Sequence, residues 1–181
     1  SLYQLTIEPG TQFYRDHVPA AGEDAAEALF DITRNVTRAA GFENYEISNH
    51  ALPGQECDHN LVYWRGEDYV GIGPGAHGRL PTHELNAGFA IEAIQEIRRP
   101  TAWLMAVQSG DGGTQKRTAL GREERLEELL LMGLRLIEGI DFKRFERLFG
   151  APLLTQLDNQ KLGRLVNRGF LKQGKNTLAA T

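Results

Sequence analysis

Residues 57–78 read CDHNLVYWRGEDYVGIGPGAHG. The stretch holds the chain's single Cys, two of its five His, one of its two Trp and five glycines. Ligand-type side chains, aromatics and a glycine run admit several chemistries. His50, Cys57, His59 and His77 could form a metal site, but Cys-x-His spacing matches no strong metal signature. The plainer alternative is a loop with hydrogen-bonded histidines. Cys57 stands between Glu56 and Asp58, whose charges disfavour a thiolate, so it is a poor nucleophile. Gly71, Gly73 and Ala76 satisfy the G-x-G-x-x-A form of a phosphate loop. However, Pro74 removes a donor and no helix signal follows. Glycines that let backbone lie close to a neighbour or ligand explain the run better. A third reading is a pocket for a flat conjugated molecule. Tyr63 and Trp64 would stack, His59 would be an axial ligand and Asn60 a hydrogen-bond clamp; ordinary aromatic core is its alternative.

Working outward toward the N-terminus, strand and helix signals alternate. Leu2, Leu5 and Ile7 read as a strand that ends at Pro9-Gly10. Ala25, Ala28, Leu29, Ile32, Val36 and Ala39 recur at helical spacing, with Gly41 just beyond. YEIS (45–48) reads as a second strand and YVGIGPGAHG as the start of a third. Strand, helix and strand at these separations predict a parallel βαβ unit, which needs neighbours to cover its faces.

Toward the C-terminus the pattern turns helical. A linker-like LPTHELNAG leads to FAIEAIQEIRR, read as a helix, then Pro100, TAWLMAVQSG and a glycine-rich loop GDGGTQK. REERLEELLLMGLRLIEG is the strongest helix signal, with Leu126, Leu129, Leu130, Leu134 and Ile137 as one stripe and Gly139 as its stop. Asp141 is placed to cap FKRFERLF, whose Phe142, Phe145 and Phe149 share a face before Gly150. A helix over LLTQLDNQKLGRLVNRG and a small hairpin over FLKQGKNTLAA complete a winged-helix-like outline. The expected division is residues 1–85 and 86–181.

Charge follows the same division. Residues 1–85 hold five Lys/Arg against thirteen Asp/Glu, while residues 86–181 hold fifteen against eleven. The basic end, with Lys161, Arg164, Arg168, Lys172 and Lys175, admits nucleic acid, but a solvated basic face is the simpler account. No run approaches the roughly 18 apolar residues of a membrane span. A single Cys excludes an internal disulfide and any multi-cysteine cluster built by this chain alone, and it suits the cytoplasm. The chain starts without Met, as a fragment of a longer protein would.

SLYQLTIEPGT, GFENYEISNHA, HNLVYWRGEDYVGIGPGAHG and REERLEELLLMGLRL together resemble the C-terminal half of radical SAM proteins related to oxygen-independent coproporphyrinogen III oxidase. The His-Asn-x-x-Tyr-Trp run is most similar to the HemW-type branch. The resemblance spans nearly the whole chain. It implies the last strands of a partial TIM-like (β/α) barrel followed by a helical, winged-helix-like domain. It also implies S-adenosylmethionine and a [4Fe–4S] cluster in the full-length protein. The Cys-x3-Cys-x2-Cys motif that holds that cluster does not occur here, so the chain alone is expected to be inert in radical chemistry. By position, Tyr3, Gln4 and Leu5, with Gly73, Gly75 and Ala76, correspond to strands that face the cofactor. His59, Asn60, Tyr63 and Trp64 correspond to the run linked to haem. No catalytic residue and no metal ligand is assigned. The implied role is haem binding and delivery to haem-accepting proteins, with coproporphyrinogen decarboxylation as the rival. A homodimer is one way to cover unpaired strand edges.

Overall fold

The computed structural model describes residues 1–82 and 91–181, in two compact units, Ser1–Cys57 and Asp58–Thr181. The expected boundary between residues 85 and 86 lies outside the described residues.

The first unit is built around one amphipathic helix. After a single turn α1 (Gln12–Arg15), α2 runs Glu23–Ala39 with Glu23 and Asp24 in its first turn. Those carboxylates oppose the positive end of the helix dipole. Beyond the helix, Gly41 takes φ 85°, the left-handed conformation that suits glycine after a helix end. Two short strands, β1 (Glu43–Asn44) and β2 (His50–Ala51), pair antiparallel. The turn between them holds Glu46 fully buried and Asn49 3% exposed. The Glu46 carboxylate accepts the Ser48 N–H at 2.7 Å, so a buried charge is met by a local donor.

The strand expected over Leu2–Ile7 is extended chain without a ladder; Leu2 N–H donates to Ser48 O at 2.9 Å. YEIS forms the tight turn between β1 and β2 instead of a strand. No helix-covered parallel pair exists among the described residues, where every ladder is antiparallel. The reason is physical: parallel strands are stable only when paired and covered on both faces, and this unit supplies neither neighbour.

The second unit opens with α3 (Asp58–Trp64), followed by β3 (His77–Pro81), β4 (Ile91–Glu96), α4 (Pro100–Ser109) and β5 (Thr114–Ala119). The strands form an antiparallel sheet in the order β3-β4-β5, with a bulge at Gln95/Glu96. Read from sequence as helical, Ile91–Glu96 is a strand whose Ile91, Ile94 and Glu96 are buried. Buried Glu96 is satisfied by Trp103 Nε1 at 3.0 Å and Thr114 Oγ at 2.9 Å, which ties α4 and β5 to the end of β4.

α5 (Arg122–Gly133), β6 (Ile140–Asp141), α6 (Phe142–Phe149), a short 3₁₀ turn at Leu153–Thr155, α7 (Asn159–Asn167), β7 (Leu171–Gln173) and β8 (Thr177–Ala180) complete the chain. β8 is central in the order β6-β8-β7. Leu129, Ile140, Phe145, Phe149, Leu153, Leu162 and Leu178 form the core, each at most 8% exposed. The Asp141 carboxylate accepts Arg144 N–H at 2.7 Å and starts α6 as expected. Asp158 does the same for α7, and its carboxyl lies below the usual range because Lys161 and Gln160 N–H groups donate to it. The α5 stripe departs from its periodicity near the end. The helix stops at Gly133, so the turn carries Leu136 inward (2% exposed) and leaves Ile137 56% exposed.

Candidate functional site

The sequence shows no helix signal at 58–64, yet these residues form α3, with Asp58 in its first turn and Gly66 (φ 68°) closing it. The overlooked signal is the four-residue spacing of His59 with Tyr63 and of Asn60 with Trp64, which places each pair on one helix face. His59 is exposed, while Asn60, Tyr63 and Trp64 are half-buried. The Tyr63 hydroxyl lies 3.0 Å from His59 Nε2, and the two rings meet edge to face at 4.7 Å. Tyr69, absent from the sequence-derived set, also meets Tyr63 edge to face, with centroids 4.4 Å apart and planes at 81°. Burial pushes the Tyr69 phenol above its ordinary pKa, with Arg79 opposing. Tyr69 is held by reciprocal backbone bonds with Arg79 at 2.8 and 2.9 Å.

Trp64 follows His59 by five residues, about 140° round the helix. It lines a small cavity of about 20 Å³ with Leu129, Leu136 and Phe145, and the Arg135 guanidinium lies 4.5 Å above its ring. The structure therefore brings His59, Tyr63 and Tyr69 together and turns Trp64 toward the core formed by α5 and α6.

α3 is fixed to α5 through charge. Arg125, 4% exposed, donates Nη2 to Gly66 O at 2.6 Å and Nη1 to Glu128 at 2.8 Å. Glu128 also receives Arg79 Nε at 2.8 Å. Arg65, one residue after α3, makes a two-pronged contact with Glu138 at 3.0 and 3.3 Å, and Arg144 reaches the same carboxylate at 3.3 Å. Burial raises the Glu138 pKa, but the bonds and charges of Arg65 and Arg144 outweigh it and leave it below the usual value.

Gly73 and Gly75 have φ 104° and 73°, which break the extended chain where a strand was expected. The close approach lies at Gly71, where a Cβ would collide with the His77 backbone. A Cβ on Gly73 meets nothing within 4 Å, and one on Gly75 meets only Arg98, at 3.8 Å or more.

In the first unit, Tyr3, Gln4 and Leu5 line a groove of about 390 Å³ whose opposite wall is Leu29, Phe30 and Arg34. That size lies in the range of small-molecule pockets. Arg34 Nε is buried without a hydrogen-bond partner, and Gln4, Thr33 and His50 add polar groups to a largely apolar lining. His50 borders it, with its Nδ1 3.1 Å from Thr37 Oγ. Burial, followed by the positive chain terminus, lowers the His50 pKa from 6.5. The residues do not fit a [4Fe–4S] cluster. Cys57 is one exposed thiol, and no three His, Cys, Asp or Glu converge among the described residues. No helix among them is long and apolar enough to cross a membrane.

The HemN C-terminal domain family matches residues 120–181. Radical S-adenosyl methionine domain-containing protein 1, mitochondrial, of Danio rerio is 39% identical over 97% of this chain and 39% of its own length. Heme chaperone HemW of Bacillus subtilis is 34% identical over all of this chain and 46% of its own. Heme chaperone HemW of Escherichia coli is 48% identical over 44% of this chain and 21% of its own. The chain thus spans less than half the length of these relatives. Among solved structures, Escherichia coli coproporphyrinogen III oxidase (HemN), titled a radical SAM enzyme, matches with TM-score 0.59 and 14% identity, covering 90% of this chain and 38% of its own, a likeness of fold. With the HemN C-terminal domain at its end and these relatives along its length, the chain is similar to the C-terminal portion of the HemW-type radical SAM proteins.

Proposed function

We propose that this chain is the cargo-handling portion of a haem chaperone that binds haem at α3 and passes it to a haem-accepting protein. The observation that carries the reading is an exposed imidazole on a short helix, in edge-to-face contact with Tyr63, which in turn meets Tyr69 edge to face. An imidazole is a good ligand for haem iron, and aromatic rings offer apolar surface to a porphyrin edge. His59 is the proposed ligand and Tyr63 its neighbour on the porphyrin side; Asn60 and Trp64 belong to the site by holding α3. Supporting this, two relatives are named heme chaperones.

Within the same proposal, residues 1–85 complete a partial (β/α) barrel with strands of the longer protein, and residues 86–181 form the helical, winged-helix-like domain. Tyr3, Gln4 and Leu5 would then face S-adenosylmethionine in the groove, with Arg34 available to a polar group. The cofactor would supply a sulfonium and an adenosyl group; these side chains bind and orient. The cluster thiolates come from outside this chain. We place the protein in the cytoplasm, as a homodimer, without nucleic acid as a partner.

Haem titration of the full-length protein, followed by absorbance, tests the reading. His59→Ala should weaken binding at least tenfold and move the Soret band. Unchanged affinity and spectrum would remove His59 as the ligand, and decarboxylation of coproporphyrinogen by the cluster-loaded protein would replace chaperone with oxidase.

A further inference from the structure

We propose that Tyr63 is a gate on His59: its hydroxyl occupies Nε2, and Tyr69 braces the Tyr63 ring in that position. Three observations carry it. The Tyr63 hydroxyl is 3.0 Å from Nε2, a full hydrogen bond. In either tautomer Nε2 has no lone pair to offer, since it accepts the phenolic proton or donates its own. The Tyr63 ring has two edge-to-face partners, His59 at 4.7 Å and Tyr69 at 4.4 Å, and swinging clear would break both contacts. Tyr69 in turn is anchored through both backbone groups to Arg79 of β3, whose side chain is paired to Glu128.

Imidazole is free to ligate a metal through Nε2 only after the phenol lets go. The closed state protects an exposed histidine from stray metal ions. A cargo that stacks on the Tyr63 ring would supply the contact energy that opens it. The gate is geometric and stands on its own. Only the identity of the cargo as a metalloporphyrin rests on the proposed function.

Diethyl pyrocarbonate reads the gate without haem. It transfers an ethoxycarbonyl group to a ring nitrogen with a free lone pair, releasing ethanol and carbon dioxide. Mass spectrometry gives the rate at each histidine. In Tyr63→Phe, which keeps the ring contacts, the rate at His59 should rise about two- to tenfold, the equilibrium weight of one hydrogen bond. The exposed His17 in the other unit should be unchanged and serves as the internal control. Tyr69→Leu leaves the hydroxyl in place but removes the brace, and should give a smaller rise at the same site. Stopped-flow mixing of the full-length Tyr63→Phe protein with haem should show faster association. An equal His59 rate in wild type and both variants overturns the gate. A faster His59 rate with no haem binding by any form upholds the gate and overturns the haem reading.

Discussion

The Arg125 guanidinium, 4% exposed, donates to the Gly66 carbonyl at 2.6 Å. One hydrogen bond thus joins the helix that opens the C-terminal domain to the turn that ends the helix carrying His59. Because Arg125 also pairs with Glu128, and Glu128 with Arg79, the same carboxylate fixes α5, β3 and the Tyr69 bridge.

Arg125→Met keeps most of the volume and removes the charge, leaving Gly66 O without its donor. Charge-assisted bonds in partly buried settings are worth about 1.5–3 kcal/mol each, so the melting temperature should fall by roughly 5–10 °C. Hydrogen exchange in residues 58–67 should accelerate more than in α7. A thermal scan with exchange mass spectrometry checks both; uniform exchange would deny the link between α5 and α3.

Two glycines should respond to alanine with opposite signs. Gly139 has φ 73°, and a Cβ there would come 2.6 Å from the Ala179 Cβ. Gly139→Ala should cost about 2 kcal/mol or more, from backbone strain and collision together. Gly163 lies inside α7 with nothing within 4 Å of an added Cβ. Gly163→Ala should therefore stabilise by about 0.5–1 kcal/mol. Urea denaturation of the two variants decides the matter.

Trp64→Leu should loosen the packing of α3 without changing the spectrum of bound haem. Loss of ring burial and of the Arg135 contact should cost about 2–4 kcal/mol, of which the cation–π contact is about 0.5–1. A Soret shift comparable to that of His59→Ala would instead put the indole against the porphyrin.

Acid should weaken the two units through different groups. The His50 pKa is lowered on folding by burial, so the unfolded state takes up a proton first. Its contribution is present above pH 6.5 and is lost as pH falls through the folded value. Glu138 is also lowered, and its contribution is present above pH 4.5 and lost on further acidification. Exchange near His50 should rise first and that near Arg65 later. His50→Gln should flatten only the first change.

Local rules written in a few residues were legible at once. Asp141 caps α6 because a short carboxylate reaches an N–H group three residues on, whatever surrounds it, whereas Asp158, read as lying inside one helix over 153–169, instead caps α7 after a separate 3₁₀ turn. Gly41 and Gly150 end helices because few other residues tolerate their φ of 85° and 78°. FLKQGKNTLAA forms its hairpin because the turn lies within the segment. Even His59 and Tyr63 could be singled out, although the helix that pairs them could not, since seven residues give too little periodicity to weigh.

Where the outcome depended on partners distant in the chain, sequence pattern misled. Ile91–Glu96 alternates too weakly to outweigh its helix-forming residues, and it becomes a strand because β3 and β5 offer ladders on both sides. Leu2–Ile7 has strand composition but no ladder, since strand propensity yields a strand only when another strand lies alongside. Tyr69 joins His59 and Tyr63 only because its backbone bonds to Arg79, and Trp64 leaves them because α5 and α6 bury its face of the helix. Caps, turns and the family motif were thus decided by the sequence itself, through interactions a few residues long. The composition of the site was decided by tertiary pairing, because which ring meets which depends on contacts whose partners are far apart along the chain.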